Sequence, residues 1–281
     1  MIANMTYQQL QETIVRKRSF LCVGLDTELR KLPLSLASSR DAVFRFNRAI
    51  IDATADLAIA FKPNLAFYEV QGWQGWQDLA RTVDYIKKHY PDVLTIADGK
   101  RGDIANTASM YAQSLFASMG FDAVTVAPYM GRDAVQPFLE YQDRWAILLA
   151  ATSNESGREF QMLPIGDGTS VLFEKVLQIS RHWGHEGNMM YVVGATHPEL
   201  LRRVRKIVPR HFLLVPGVGQ QGGDLSEVIK YGLADNCGLI VNSSRGILYA
   251  SSGPDYAQAA RAKALGMQQV MAQALQARGI V

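Results

Sequence analysis

The sequence predicts a single (β/α)8 barrel, the TIM-barrel architecture, with residues 1–281 forming one domain. Three observations predict it: eight short apolar runs, helical patterns between them, and a length near the roughly 250 residues typical of such barrels. The runs are almost continuously apolar, which is typical of parallel strands covered by helices. No linker, repeat or low-complexity segment interrupts the alternation. An open, doubly wound sheet would give the same local pattern, so the count of eight favours the barrel.

The strands are predicted from short, near-continuous apolar runs that lie between polar segments. In chain order they are 20–25 ("FLCVGL"), 57–62 ("LAIAFK"), 93–98 ("VLTIAD"), 122–127 ("DAVTVA"), 145–151 ("WAILLAA"), 188–195 ("NMMYVVGA"), 211–216 ("HFLLVP") and 238–243 ("GLIVNS").

The helices are predicted where apolar residues recur every three or four positions. The clearest are 41–54, 75–90, 169–184 and 254–277, the last of which follows the eighth strand. The basic stretch 201–211 ("LRRVRKIVPRH") has the same spacing and is predicted to be an amphipathic helix with a solvated Arg/Lys face.

Composition and charge narrow the class of protein. The 29 basic and 26 acidic residues give a net charge of +3, so the surface is mixed and does not indicate nucleic-acid binding. Cys22 and Cys237 adjoin apolar runs and are expected to be buried free thiols, which fits a reducing compartment. The polar N-terminal segment and the short run after it indicate neither a signal peptide nor a membrane span. We therefore expect a cytoplasmic protein.

Unusual polar residues follow the predicted strands. Strand ends carry Asp26, Lys62 and the segment 97–108 ("ADGKRGDIANTA"), and later ones carry Ser153 and Arg245. In a (β/α)8 barrel the carboxyl ends of all strands meet at one rim, where active sites lie. The sequence therefore predicts one functional site at this rim.

The segment after the third strand predicts the chemistry of that site. Asp98 and Lys100 are two residues apart, so in an extended chain both point to one side, and Lys62 comes from the neighbouring strand. Adjacent carboxylates favour the charged form of a lysine even where burial opposes it. The pattern therefore predicts a protonated lysine held in a pocket, placed to meet negative charge that develops on a substrate.

A glycine-rich stretch after the seventh strand predicts a phosphate site. "GVGQQG" (217–222) matches the dinucleotide pattern G-x-G-x-x-G, but Asn242 stands about where that fold needs an acidic residue. Its place after strand seven, followed by "SSRG" after strand eight, fits the phosphate site of a barrel better. Backbone N–H groups there would bind the anion, with Arg245 adding a bidentate contact.

Other catalytic patterns are weak. His182, His185 and Glu186 fall at a predicted helix end, where solvent-facing side chains are more common than zinc ligands. No "GxSxG" motif supports a serine nucleophile. The sequence gives no indication of a metal site.

Taken together, these motifs resemble the orotidine 5′-phosphate decarboxylase family, in its longer bacterial branch with the "KRGDI" form. The most specific part is Asp-x-Lys-x-x-Asp on strand three combined with Lys62 on strand two. The matching segments are "CVGLD", "FKPNLAFYE", "ADGKRGDIANTA", "ATSNESG", "VPGVGQQGGD" and "VNSSRGI".

The resemblance implies a homodimeric barrel that converts orotidine 5′-phosphate to UMP and CO2 without a metal or an organic cofactor. It implies that Lys62, Asp98, Lys100 and Asp103 form a charged network. Lys100 would stabilise and protonate the carbanion at carbon 6, and Asp98 would lie against the departing carboxylate.

Further roles follow from the same resemblance. Asp26 and Lys62 would bind ribose hydroxyls, and Ser153 would bind the pyrimidine edge. Asp103 and Thr107 would reach in from the neighbouring subunit. Gln221 and Arg245 would bind the phosphate.

Two positions depart from the family pattern. Thr27 stands where the family often has Pro, and Gln220 precedes the expected glutamine. The spacing to the glycine pair favours Gln221 over Gln220 as the ligand contact.

Two rivals remain. Sugar-phosphate decarboxylases, such as those acting on keto-gulonate phosphate, resemble the strand-three motif but bind Mg²⁺ through a Glu at the end of strand two. Lys62 would repel that metal. A non-catalytic nucleotide-binding regulator would keep the phosphate site without the charged network.

Overall fold

The computed structural model describes residues 5–37, 39–219 and 222–281. Eight parallel strands close into a barrel, so the predicted (β/α)8 architecture is confirmed. The barrel strands are β1 Leu21–Gly24, β2 Ala58–Lys62, β3 Leu94–Arg101, β4 Ala123–Val126, β5 Trp145–Ala151, β6 Met189–Val193, β7 Leu213–Pro216 and β8 Leu239–Ser243.

Helices connect the strands and cover the outside of the barrel. Those of eight residues or more are Tyr7–Lys17, Ala42–Thr54, Gly72–His89, Ala105–Ala112, Leu172–Ser180, Pro198–Ile207, Leu225–Gly232 and Tyr256–Ala277. Shorter α-helices are Leu34–Ala37, Ala66–Glu69, Gln136–Leu139, Arg158–Gln161 and Arg245–Leu248. Gln113–Ser118 is a π-helical turn, and Leu29–Lys31, Arg132–Ala134 and Glu155–Gly157 are 3₁₀ turns.

The segment between β5 and the following long helix differs from the prediction. A helix was expected over 169–184, whereas it begins at Leu172 and ends at Ser180. Ser170–Val171 instead pairs antiparallel with Pro164–Ile165. The pairing gives the backbone of these residues an extended conformation, so the helix starts only after it.

The core fills the barrel and the layer between strands and helices, because the strands are buried on both faces. Cys22 and Cys237 are buried free thiols, as predicted. Within the described ranges, no helix is long and apolar enough to cross a membrane.

A buried polar cluster around Asp122 lies near the amino ends of β3 and β4. Its Oδ2 accepts hydrogen bonds of 2.8 Å from both the N–H and the hydroxyl of Thr95, and Lys87 and Arg144 contact Oδ1. These contacts connect the start of β3 to the start of β4, at the end of the barrel opposite the rim where sites of this architecture lie.

Candidate active site

A cavity of about 360 Å³ opens at the carboxyl ends of the strands. Three cationic and two anionic side chains line the cavity, so its net positive charge suits an anionic ligand. The cavity brings together six of the residues that the sequence singled out, namely Asp26, Lys62, Asp98, Lys100, Ser153 and Arg245.

Asp98 lies at the centre of the charged cluster. Lys62 Nζ lies 2.8 Å from Asp98 Oδ2, and Lys100 Nζ lies 2.6 Å from Asp98 Oδ1. Burial opposes ionisation of this carboxyl, but the attraction of Lys62 and Lys100 outweighs it and lowers the pKa of Asp98 well below its usual value. Asp98 is therefore a carboxylate at neutral pH, with both oxygens engaged.

The two lysines differ in their access to the cavity. The side chain of Lys62 is 4% exposed and that of Lys100 is 50% exposed. Burial alone would lower the pKa of Lys62, yet Asp98 and Asp26 raise it above its usual value. Lys62 is thus a fixed, buried positive charge, whereas the ammonium group of Lys100 can reach a bound ligand.

The backbone at Lys100 is not extended, so the side-chain alternation that the sequence suggested does not explain the pair. Lys100 has φ of 45°, in the left-handed region. The register between β3 and β4 shifts between Ala97, which is opposite Val124, and Arg101, which is opposite Val126. Asp98 and Lys100 therefore meet within a bulge at the end of β3.

Asp26 follows β1 and presents an acceptor for a ligand. Its Oδ1 lies 3.9 Å from Lys62 Nζ and, among the described residues, is buried without a hydrogen-bond partner. The hydroxyl of Tyr249 donates to the Asp26 carbonyl at 3.1 Å, and that of Tyr68 donates to the Leu25 carbonyl at 2.8 Å. These two hydrogen bonds fix the backbone at Leu25 and Asp26, so the Asp26 carboxylate is positioned to accept a hydrogen bond from a hydroxyl group.

Ser153 lies in the loop after β5, where the end of β6 supports it. The hydroxyl of Thr196 donates to the Ser153 carbonyl at 3.1 Å. A Cβ at Gly194 would come within 2.6 Å of the Ser153 backbone, so glycine permits this close approach. The loop is thereby fixed at the cavity wall.

The predicted phosphate end combines the loops after β7 and β8. Gly217, Gly219 and Gly222 all have positive φ, which glycine adopts without strain. Arg245 is the exposed first residue of the helix Arg245–Leu248 and lines the cavity. Gln220 and Gln221, the two candidate glutamines, lie outside the described residues.

Asp103 and Thr107 are not brought to this cavity. In the part of the chain that the structure describes, neither residue is among the cavity-lining side chains. Asp103 Oδ1 accepts from the N–H of Ile104 at 2.8 Å, and Thr107 is exposed on the helix Ala105–Ala112. Large apolar side chains beside them, Ile104 and Met110, are also exposed.

The structure adds cavity residues that sequence reasoning missed. Thr125 on β4, Asn64 after β2 and Asn242 on β8 line the cavity. Thr125 interrupts an otherwise apolar strand run and Asn242 ends one, and these polar positions were a usable signal. Over residues 5–37, 39–219 and 222–281, no group of three or more His, Cys, Asp or Glu is placed to hold a metal ion.

Comparison with known protein families gives a match over most of the chain. The model of the orotidine 5′-phosphate decarboxylase / HUMPS family matches residues 19–262. A Bacteroides fragilis protein named orotidine 5′-phosphate decarboxylase is 56% identical over 273 residues, 97% of this chain and 99% of the relative. A Christiangramia forsetii protein of the same name is 55% identical over 272 residues, again 97% and 99%.

Solved structures give the same result. The structure of Leishmania donovani OMP decarboxylase superposes with a TM-score of 0.79 at 34% identity. The match covers 95% of this chain and 100% of the Leishmania chain. The barrel and its connecting segments are therefore shared along nearly the whole length.

Proposed function

The chain belongs to the orotidine 5′-phosphate decarboxylase / HUMPS family and is a carboxy-lyase that decarboxylates orotidine 5′-phosphate in pyrimidine biosynthesis. From this premise we propose that the Lys62–Asp98–Lys100 cluster carries out the reaction, with Lys100 as proton donor. The observation that carries the proposal is the Asp98 carboxylate bonded between two lysines, of which only Lys100 is half exposed to the cavity.

In the proposed step, the bond between carbon 6 of the pyrimidine and its carboxylate breaks and CO2 leaves. The electron pair stays on carbon 6, and Lys100 Nζ transfers a proton to that carbon to give UMP. Lys100 then regains a proton from solvent. The positive charge of Lys100 is already in place when negative charge develops, so no reorganisation is needed at that moment. Asp98 positions Lys100 and lies against the departing carboxylate.

The rest of the cavity would bind the nucleotide. Asp26 and Lys62 bind ribose hydroxyls, a role supported by the buried, unpartnered Oδ1 of Asp26 among the described residues. Ser153 binds the pyrimidine edge. Arg245 binds the phosphate beside the glycine-rich loop, with Gln221 as the proposed second contact. These remote contacts supply binding energy that orients the reacting ring.

We further propose that the active unit is a homodimer in which Asp103 and Thr107 complete the partner's site. Their position outside the cavity of their own chain supports this, as do the exposed apolar side chains beside them. We also propose one domain over residues 1–281, a cytoplasmic location, and turnover without a metal or an organic cofactor.

A direct assay tests the proposed chemistry. We expect purified protein to consume orotidine 5′-phosphate, followed by its ultraviolet absorbance, with UMP formed in equal amount. EDTA should leave the rate unchanged, because the Lys62 ammonium would repel a metal at the end of β2. Loss of activity with EDTA would favour the Mg²⁺-dependent rival. Binding of UMP without any turnover would favour the non-catalytic regulator.

A further inference from the structure

We propose that Thr125 on β4 is a positioning residue that holds Asp98 and Lys100 in their reactive geometry. This inference rests on the proposed function, because it assigns Thr125 a role through Lys100. Thr125 is 1% exposed as a residue, yet its side chain reaches the cavity wall.

Thr125 forms hydrogen bonds with both members of the pair. Its hydroxyl donates to Asp98 Oδ1 at 3.1 Å, and it accepts from the backbone N–H of Lys100 at 2.9 Å. The Thr125 hydroxyl thus connects the carboxylate of Asp98 to the backbone of Lys100. Within the bulge this bond satisfies a backbone donor of β3.

The bulge explains why a side chain is needed there. Ala97 pairs with Val124 and Arg101 pairs with Val126, so three β3 residues lie opposite Thr125 alone. The ladder cannot satisfy every backbone group over this stretch. Thr125 Oγ1 supplies the acceptor for the backbone N–H of Lys100 in this stretch.

The backbone of Lys100 gives the bond a functional consequence. A non-glycine residue with φ of 45° is held there only when its surroundings impose it. Without the Thr125 hydroxyl, the N–H of Lys100 loses its acceptor and the residue is freer to leave the left-handed conformation. The ammonium group would then shift relative to carbon 6, and small displacements of a catalytic group strongly reduce turnover.

Thr125→Val tests this role, because valine keeps the shape of threonine and removes the hydroxyl. We expect kcat to fall about 10- to 100-fold while KM changes less than about threefold. Thr125→Ser keeps the hydroxyl and should restore most of kcat. If Thr125→Val does not fold, Thr125→Ala removes the same hydroxyl with a smaller side chain.

Thr54→Val is the matched control. Thr54 is a buried threonine on the helix Ala42–Thr54, and its hydroxyl donates to the Ile50 carbonyl at 2.7 Å. This variant should keep wild-type kcat. A crystal structure of Thr125→Val should show Lys100 outside the left-handed region.

Three outcomes would overturn the inference. A folded Thr125→Val enzyme with kcat within twofold of wild type would do so, as would a Ser variant as impaired as the Val variant. A rise in KM at unchanged kcat would instead make Thr125 a substrate contact. The Lys100→Ala enzyme distinguishes failure of the proposed role of Lys100 from failure of the inferred role of Thr125. If Lys100→Ala retains turnover, both roles are wrong. If Lys100→Ala is inactive while Thr125→Val has normal activity, only the role of Thr125 is wrong.

Discussion

Lys100 Nζ lies 2.6 Å from Asp98 Oδ1, although the backbone at Lys100 is left-handed rather than extended. The carboxylate therefore fixes the ammonium group at the cavity instead of leaving it to sample solvent. Lys62 neutralises the same carboxylate from the buried side, with Nζ 2.8 Å from Oδ2. The cluster therefore keeps the Lys100 ammonium group at the cavity, where the proposed mechanism requires it.

Lys100→Ala should leave folding and the binding of a UMP analogue largely intact while abolishing turnover. The reason is that Lys100 acts as charge develops, so its loss appears in kcat rather than in ground-state binding. Steady-state kinetics and calorimetric titration with UMP measure the two effects. Lys88→Ala, at an exposed lysine on the helix Gly72–His89, is the control and should behave as wild type. A Lys100→Ala enzyme with even a tenth of wild-type kcat would mean that Lys100 is not the proton donor.

The fold was predictable from the sequence because each barrel strand lies largely within a short, near-continuous apolar run. β5 spans Trp145–Ala151, the same residues as its predicted run, since both faces of the strand are buried. The short antiparallel pair formed by Pro164–Ile165 and Ser170–Val171 was missed. Two-residue strands have no periodicity, and their pairing depends on the loop between them.

The site was only partly predictable, because its geometry depends on contacts between strands. The sequence identified Asp98 and Lys100 as a pair, but it suggested an extended strand and gave no sign of the bulge at the end of β3. The bulge involves Thr125, which lies 25 residues from Lys100 along the chain. No local pattern records such a contact, so the left-handed conformation of Lys100 could not be expected.

Arg245→Ala should weaken the handling of the phosphorylated substrate in particular. Loss of a charge-assisted contact to phosphate should reduce kcat/KM for orotidine 5′-phosphate roughly 100-fold, equivalent to about 3 kcal/mol. Activity on orotidine, which lacks the phosphate, should change little. Arg261→Ala, which removes a surface ion pair with Asp56, is the matched arginine control. If Arg245→Ala impaired both substrates equally, Arg245 would not lie at the phosphate.

His211 should make the fold sensitive to acid. Burial lowers the pKa of His211 to about 4, and within the described part of the chain neither ring nitrogen has a hydrogen-bond partner. In the unfolded chain the pKa of His211 has its ordinary value near 6.5. Between about pH 4 and pH 6.5, the unfolded chain therefore protonates His211 more readily than the folded chain does. The free energy of unfolding is therefore unaffected by His211 titration above about pH 6.5. It decreases as the pH falls towards 4, by about 3 kcal/mol in total.

His211→Phe removes this titration and keeps an aromatic ring beside Tyr191. Urea unfolding at pH 7.5 and pH 4.5 should show a smaller acid loss in the variant than in the wild type. For each protein, the free energy of unfolding at pH 4.5 is subtracted from that at pH 7.5. Comparing these two differences removes the effect of the packing change and of other titrating groups, which are common to both pH values or to both proteins. Parallel losses in both proteins would show that His211 does not titrate on unfolding in this range.

Lys100 lines the cavity, whereas Asp103, three residues further along, is outside the lining formed by the described residues. Its Oδ1 instead accepts from the N–H of Ile104, at the start of an exposed segment. If a partner subunit covers that segment, each site combines Lys100 of one chain with Asp103 of the other.

Subunit exchange between two inactive variants tests this shared site. Lys100→Ala and Asp103→Ala homodimers should each be nearly inactive. After equal amounts are mixed and subunits exchange, about half of the dimers are hybrids, because the two kinds of chain pair at random in a two-fold symmetric dimer. Each hybrid has one doubly damaged site and one native site, so activity should rise to roughly a quarter of the wild-type value per site. If the mixture stays inactive after native mass spectrometry shows complete exchange, Asp103 serves the site of its own chain, and the proposed contribution across the dimer is wrong.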